Sequence, residues 1–331
     1  MEANVARKSK KQRGLDELAG ALARAGVEFE RGVPLAPFTT FKIGGPAGIV
    51  AYPYDTDQVA AAVASSAALG VPYIGLGWGS NVLVDDAGFP GLVVTTRKMT
   101  YLERDGAVIR AGAGVWLPDV TEFAFENGLS GMEELCDVPG SLGGGVYMNA
   151  GCYGRSIGDI LIDVTWVERD GTVVSKTRDA VYLGYRESEF TGTERLITEL
   201  SIALTPGKDA AAIRARMDEI KTIRSTRFPQ NYPNCGSVFK RVDLDAAAPF
   251  VEKDGTGAYS AGYYIERCGL KNERRGNAQI SSLHANFIVN LGGATAADVR
   301  ALIELAQARV KEQYGIELAR EVNYLDASGR H

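Results

Sequence analysis

Histidine occurs only at positions 284 and 331, which removes most His-based metal sites and Ser-His-Asp catalysis from consideration. Any proton donor must then come from Ser, Tyr, Lys, Cys, Asp or Glu. Three segments place such groups among distinctive neighbours: Tyr185-Arg186-Glu187-Ser188-Glu189-Phe190, Asn234-Cys235-Gly236-Ser237-Val238-Phe239-Lys240, and Glu321-Val322 near the C-terminus. Each has a plain alternative. Arg186 suits a surface ion pair, Ser237 a turn beside Gly236, and Glu321 a solvent-facing carboxylate. Cys235 has no base beside it to make a nucleophile. The four cysteines are scattered without a C-x-x-C pair, which argues for free thiols rather than disulfides or zinc and sets no metal site.

Three glycine clusters complete the chemical inventory: Gly44-Gly45, Gly75-x-Gly77-x-Gly79-Ser80-Asn81, and Pro139-Gly140-Ser141-Leu142-Gly143-Gly144-Gly145. Glycine permits positive φ and close main-chain approach, so such loops can offer successive N–H groups to phosphate. The middle cluster is not a dinucleotide fingerprint of the Rossmann type. Its spacing is G-x-G-x-G, and the apolar run Asn81-Val82-Leu83-Val84 that follows reads as a strand, where that fold needs a helix. No G-K-[ST] occurs, so a P-loop is excluded as well. A nucleotide cofactor gripped by loops between strands fits better.

The elements that must carry these groups follow from pattern. Apolar spacing predicts a helix over 14–27, a strand over 48–52, a helix over 55–69 and short strands at 73–76 and 81–84. From residue 91 the chain turns β-rich, with runs at 91–96, 107–111, 163–168, 172–176 and 196–204. Asp105-Gly106 and Asp170-Gly171 mark tight hairpins, and a helix over 117–127 interrupts the strands. A charged helix over 209–226 leads to a tail reading helix 261–268, strand 286–291, helix 296–314 and strand 317–324. The expected division is a basic N-terminus and lead-in helix at 1–30, lobes at 31–97 and 98–207, and a smaller α+β domain at 208–331. A net charge of -5 gives no global basic field for nucleic acid. No apolar stretch approaches the ~20 residues that span a bilayer, and the basic run 7–13 has no apolar region behind it, as a secretory signal would. A cytoplasmic protein is expected.

In order along the chain come Thr39-Thr40-Phe41-Lys42-Ile43-Gly44-Gly45-Pro46-Ala47, then Gly77-x-Gly79-Ser80-Asn81-Val82-Leu83-Val84, then Pro139-Gly140-Ser141-x-Gly143-Gly144-x-Val146-Tyr147-Met148-Asn149-Ala150-Gly151-x-Tyr153-Gly154. Together they resemble the UDP-N-acetylenolpyruvoylglucosamine reductase family of the vanillyl-alcohol-oxidase-like FAD-binding superfamily, over about residues 37 to 325. The resemblance implies an α+β fold: a two-lobed, non-Rossmann FAD-binding region followed by a smaller α+β substrate-binding domain. It places Gly77, Gly79, Ser80, Asn81, Gly140, Ser141, Gly143, Asn149 and Tyr153 near FAD. It also implies NADPH as co-substrate and a UDP-sugar as substrate; a monomer is expected, and the charge and hydropathy above give no expectation of a nucleic-acid or membrane partner.

The same resemblance gives the three polar segments their roles. Arg186 sits in a Y-R-x-S-x-F motif and would contact the substrate carboxylate; Ser237 in C-G-S-x-F-K would be the proton donor; Glu321 would complete the site. Hydride would reach the terminal vinyl carbon of the enolpyruvyl group, and Ser237 would protonate the carbon next to the carboxylate. His284, in His284-Ala285-Asn286-Phe287, is expected to be structural. Other flavin oxidases or dehydrogenases on the scaffold, or a non-enzymatic flavin- or UDP-sugar-binding member, have no reason to keep Arg186, Ser237 and Glu321 together. The chain departs from the family pattern at Asp137-Val138, where Gly-Ile is usual, at Arg241-Val242, where Asn-Pro is usual, and in a long Ala- and Asp-rich segment at 243–257. Asp137 puts a negative charge beside the expected pyrophosphate loop. Only five residues, Thr191 to Arg195, separate Phe190 from the next strand, as in the family's shorter subtype.

Overall fold

The computed structural model describes residues 10–206, 209–243 and 259–329. The start of the basic run and residues 244–257 of the long Ala- and Asp-rich segment lie outside them.

The first lobe follows helix α1 (Lys10–Arg24) and contains β1 (Glu28–Arg31), β2 (Ala47–Tyr52), α2 (Thr56–Ala68), β3 (Tyr73–Leu76), β4 (Val82–Val84) and β5 (Phe89–Thr95). Asp55 caps α2 by accepting from the Gln58 N–H at 2.8 Å, which satisfies one of the donors a helix start leaves open. The sheet order is β1-β2-β5-β3, with β2, β5 and β3 parallel. β3 is therefore an outer strand. Beyond it the chain makes the glycine loop 77–81 and enters β4, a strand as expected.

The second lobe is built on β6 (Leu102–Asp105), β7 (Val108–Gly112), α3 (Leu117–Glu126), α4 (Leu142–Tyr147), β8 (Leu161–Val167), β9 (Val173–Thr177) and β10 (Leu196–Ala203). Its five strands run β9-β8-β10-β7-β6, each antiparallel to its neighbour. Trp166 and Phe190 meet edge to face at 5.2 Å inside it, each ring contributing apolar burial worth about 1.5–3 kcal/mol. The third glycine cluster, read as a loop, contains a helix. Ser141 caps α4 by accepting from the Gly144 N–H at 3.1 Å, so a local cap overrides the poor helix propensity of three glycines.

The C-terminal part comprises α5 (Ala210–Arg227), α6 (Ala261–Arg267), β11 (Ala278–Ile280), β12 (Ile288–Asn290), α7 (Ala296–Tyr314) and β13 (Asn323–Leu325). It is fastened to the first lobe at several points. Phe41, Ile43 and Leu83 are buried in its core, β13 runs parallel to β4, and Asp86 accepts from the Ala296 and Ala297 N–H groups at the start of α7. Helix α5 leans the other way. Ile213, Met217 and Ile220 pack on Cys136 of the second lobe, and Arg216 and Arg224 pair with Glu134 and Asp137 there at 3.2 and 2.8 Å.

One expected strand is shorter than its pattern. Of 317–324 only the end lies in β13. Residues 319–321 instead bond to 238–240, with Lys240 N–H on the Ala319 carbonyl at 2.9 Å and Glu321 N–H on the Val238 carbonyl at 2.8 Å. That pairing sets Glu321 beside the segment that carries Ser237.

Candidate active site

A cleft of about 1560 Å³ runs between the two lobes and up to the C-terminal domain. It exceeds the ~300–1,000 Å³ of a site for one small ligand, so a dinucleotide and a second molecule fit. Tyr73–Leu76, on the outer strand β3, form part of one wall, and Gly143–Gly145 of α4 part of the other.

The glycine loops meet across this cleft with no room for side chains. A Cβ on Gly77 would lie 2.1 Å from Ser141 Oγ, one on Gly140 2.8 Å from Ser80 Oγ, and one on Gly143 2.6 Å from the Ala113 Cβ. Gly79 has φ +64° and its Cβ would strike the Phe38 carbonyl at 2.4 Å, so both conformation and space require glycine. Among the described residues the N–H groups of Trp78, Gly79, Ser80, Gly140 and Ser141 have no protein acceptor. Five open donors from two facing loops form a cradle for an anion such as a dinucleotide's diphosphate. The residues therefore fit FAD.

Thr40 ties the cradle to the serine segment. Its N–H donates to the Gly79 carbonyl at 3.2 Å and its hydroxyl to the Asn234 carbonyl at 2.7 Å. Gly236 then turns with φ +79° and delivers Ser237 to the cleft wall. The Ser237 hydroxyl bonds to no described group. Cys235, one residue earlier than the turn, is buried, and burial pushes its thiol up to about 12, which leaves it unreactive at neutral pH.

Arg186 and Glu321 meet at the same wall, Nε to Oε1 at 2.8 Å. Arg186 Nη2 also donates to the Gly151 carbonyl at 2.7 Å. Burial raises the Glu321 carboxyl above the usual range, and Arg186 opposes that shift. Asn81 Nδ2 donates to the main-chain carbonyl of Glu321 at 3.0 Å, so the second glycine loop also fixes the carboxylate segment. Five non-glycine residues among those described have positive φ, and four of them, Lys42, Asn149, Tyr153 and Arg186, belong to the motif segments around this cleft. Such backbone costs about 1–3 kcal/mol per residue and collects at functional sites.

Gly77, Gly79, Ser80, Asn81, Gly140, Ser141, Gly143, Arg186, Ser237 and Glu321 all line the cleft. Asn149 and Tyr153 do not. The Asn149 amide is spent on the main chain, donating to the Gly184 carbonyl at 2.8 Å and accepting from the Gly158 N–H at 3.0 Å, which anchors the turn that presents Arg186. Tyr153 stands 40% exposed. His284 Nδ1 accepts from the Asn286 N–H at 3.2 Å, and burial holds it below the usual histidine range. Sequence reasoning missed Trp78 and Trp116, whose rings meet at 5.1 Å on the cleft wall, and Arg224. Asp137 is not a bare charge: Arg224 Nε and Gln230 Nε2 donate to it at 2.8 and 2.7 Å. Nothing in the helix pattern of 209–226 marks Arg224 as its partner.

Residues 228–325 match the family described as UDP-N-acetylenolpyruvoylglucosamine reductase, C-terminal domain, and residues 47–176 match the FAD binding domain family. The UDP-N-acetylenolpyruvoylglucosamine reductase of Synechococcus sp. (strain JA-3-3Ab) is 36% identical over 308 residues, covering 93% of this chain and 94% of its own. That of Lactobacillus johnsonii is 37% identical over 92% of this chain and 97% of its own. The crystal structure of the Thermus caldophilus reductase superposes with a TM-score of 0.72 at 32% identity, over 90% of this chain and 98% of that one.

Proposed function

This chain belongs to the UDP-N-acetylenolpyruvoylglucosamine reductase family, and from that membership we propose that it reduces UDP-N-acetylglucosamine enolpyruvate to UDP-N-acetylmuramate with FAD and NADPH, a step of peptidoglycan precursor synthesis. The observation that carries the reading is the convergence of Arg186, Ser237 and Glu321, from three separate motifs, on one cleft whose other walls are glycine loops with open N–H groups.

The backbone cradle at 78–80 and 140–141 would hold the FAD diphosphate, and Ser80, Asn81 and Gly143 would border the cofactor. Bound FAD supplies the two-electron carrier between NADPH and the vinyl carbon of the substrate. The chain's own residues supply charge and protons. Arg186 binds the enolpyruvyl carboxylate and stabilises the negative charge that grows on it as the vinyl carbon is reduced, a contribution largest in the transition state. Glu321 orients Arg186 through their ion pair at 2.8 Å. Ser237 Oγ gives its proton to the carbon next to the carboxylate, which completes the lactyl group. Asn149 and Tyr153 act one layer out, Asn149 by fixing the turn before Arg186.

The division that goes with these roles is two cofactor lobes at 31–97 and 98–207 and a substrate-binding part at 208–331, with α5 as the seam between them. We take the working unit to be a monomer in the cytoplasm. Four free thiols are consistent with that compartment, and no helix among the described residues is long and apolar enough to cross a membrane.

The test is a spectral titration. Purified protein should be yellow, bleach with NADPH under anaerobic conditions, and recover its colour when the enolpyruvyl sugar nucleotide is added. A colourless protein that takes up no FAD overturns the cofactor and the activity together. Bleaching followed by recovery only with oxygen leaves the cofactor standing and overturns the substrate.

A further inference from the structure

Arg97, in the turn after β5, is a cation with no counter-charge paired to it among the described residues. Its guanidinium carbon lies 4.7 Å from the centre of the Trp78 ring and 5.0 Å from that of Phe38. Nη2 donates to the Phe38 carbonyl at 2.8 Å and, at greater length, to the Trp78 carbonyl at 3.4 Å. Nε is closed off from solvent and has no acceptor, and no described carboxylate pairs with the group. Burial pulls its pKa below the usual arginine value. A half-buried cation without an anion gives up part of its hydration, and a buried N–H with no acceptor adds to that cost.

What Arg97 touches gives it a use. Phe38 O is the atom that a Cβ on Gly79 would strike, and Trp78 O belongs to the peptide whose other side is the open Gly79 N–H. The C=O and N–H of a trans peptide point in opposite directions. Holding Trp78 O therefore turns the Gly79 N–H away from the guanidinium. Thr40 holds the next peptide by donating to the Gly79 carbonyl, which turns the Ser80 N–H away from Thr40.

We propose that Arg97 is a positioning residue for the dinucleotide diphosphate, fixing the Trp78–Gly79 peptide and setting an unpaired positive charge behind the N–H cradle. The assignment rests on the FAD reading above. The rings and carbonyls hold the cation in part, but an opposite charge reaches it only when the diphosphate occupies the cradle, so Arg97 is a cost to the empty protein and a gain to the loaded one.

That asymmetry separates the proposal from a merely structural role. Arg97→Met and Arg97→Lys, with the native chain, are stripped of flavin and compared by thermal melting and by binding of FAD and of riboflavin, which lacks phosphate. The apo Arg97→Met protein is expected to melt at or above the native temperature. Its FAD affinity should fall at least tenfold, about 1.4 kcal/mol, while riboflavin affinity stays within about twofold. Arg97→Lys, keeping the charge without the fork, should recover part of the FAD affinity. A destabilised apo Arg97→Met that loses FAD and riboflavin in proportion overturns the proposal, as does unchanged FAD affinity. If Arg97→Met does not fold, the stability half is overturned, and Arg97→Lys against native decides the diphosphate half by the same FAD-to-riboflavin ratio. Native protein that binds neither flavin overturns the cofactor reading itself.

Discussion

The cleft has two ends made in opposite ways. At the cradle the main chain is the working part, and glycines keep side chains out so that N–H groups stay open. At the Arg186–Ser237–Glu321 end side chains do the work, and the main chain is bent to aim them, with Arg186 at φ +55° and Gly236 at φ +79°. The first arrangement suits an invariant ligand, since any diphosphate presents the same oxygens. The second suits a reaction, because charge and protons must be placed at particular atoms. Damage at one end should therefore fall chiefly on that end's function, even though Thr40 and Asn81 join the two.

The largest separation is expected from Ser237→Ala. Removing a positioned proton donor costs about 10²–10⁴-fold in rate. Stopped-flow absorbance should show that loss in colour recovery with the enolpyruvyl substrate, while bleaching by NADPH and FAD affinity stay native. An equal loss in both phases would mean that Ser237 shapes the cradle and not the proton transfer.

Gly79→Ala probes the other end. The new Cβ meets main-chain atoms, which cannot rotate away, in a conformation that costs an L-residue about 1–3 kcal/mol. FAD affinity should fall about tenfold or more by the same energy, and enzyme saturated with FAD should turn over near the native rate. A large loss of turnover at saturation would erase the division between the ends.

Glu321→Gln is subtler. Burial raises the Glu321 carboxyl in the folded state, so the native state holds the proton longer than the unfolded chain does. Its contribution to stability is complete below the unfolded value near ~4.3 and is lost as pH rises through the higher folded value. Paired melting curves should show Glu321→Gln gaining on the native protein as pH climbs from about 4 toward neutrality. A constant difference across that range would mean that Arg186 cancels the burial completely.

The two ends also differ in how far the sequence discloses them. Glycine spacing exposed the cradle because Gly77, Gly79 and Gly140 answer local demands of space and φ, and the strand after Asn81 ruled out the helix of a Rossmann site. The reacting end was readable only through its motifs, since nothing in the period of 317–324 says that its first half leaves the strand to pair with 238–240. Helix α4 was hidden by glycines that a single cap, Ser141, outweighs. The Asn149 motif position was readable while its task was not, because an amide can serve a ligand or the main chain equally well. Arg97 left no trace in the pattern: a basic residue after a strand is ordinary until its rings and carbonyls are seen.

The smallest effect concerns Asp137, whose charge beside the cradle should hinder a diphosphate. Arg224 answers it at 2.8 Å, with the two side chains only 14% and 30% exposed, so solvent screens the pair less than it would a surface bridge. Removing Asp137 alone is a poor probe, because it changes net charge whether or not the pair matters. A double-mutant cycle is cleaner. Arg224→Gln leaves the aspartate with the Gln230 hydrogen bond but no counter-charge and should weaken FAD binding about fivefold, near 1 kcal/mol. Adding Asp137→Asn to that chain should restore the affinity to within about twofold. Independent effects would place Asp137 outside the field of the cradle and leave α5 with a purely mechanical hold on the second lobe.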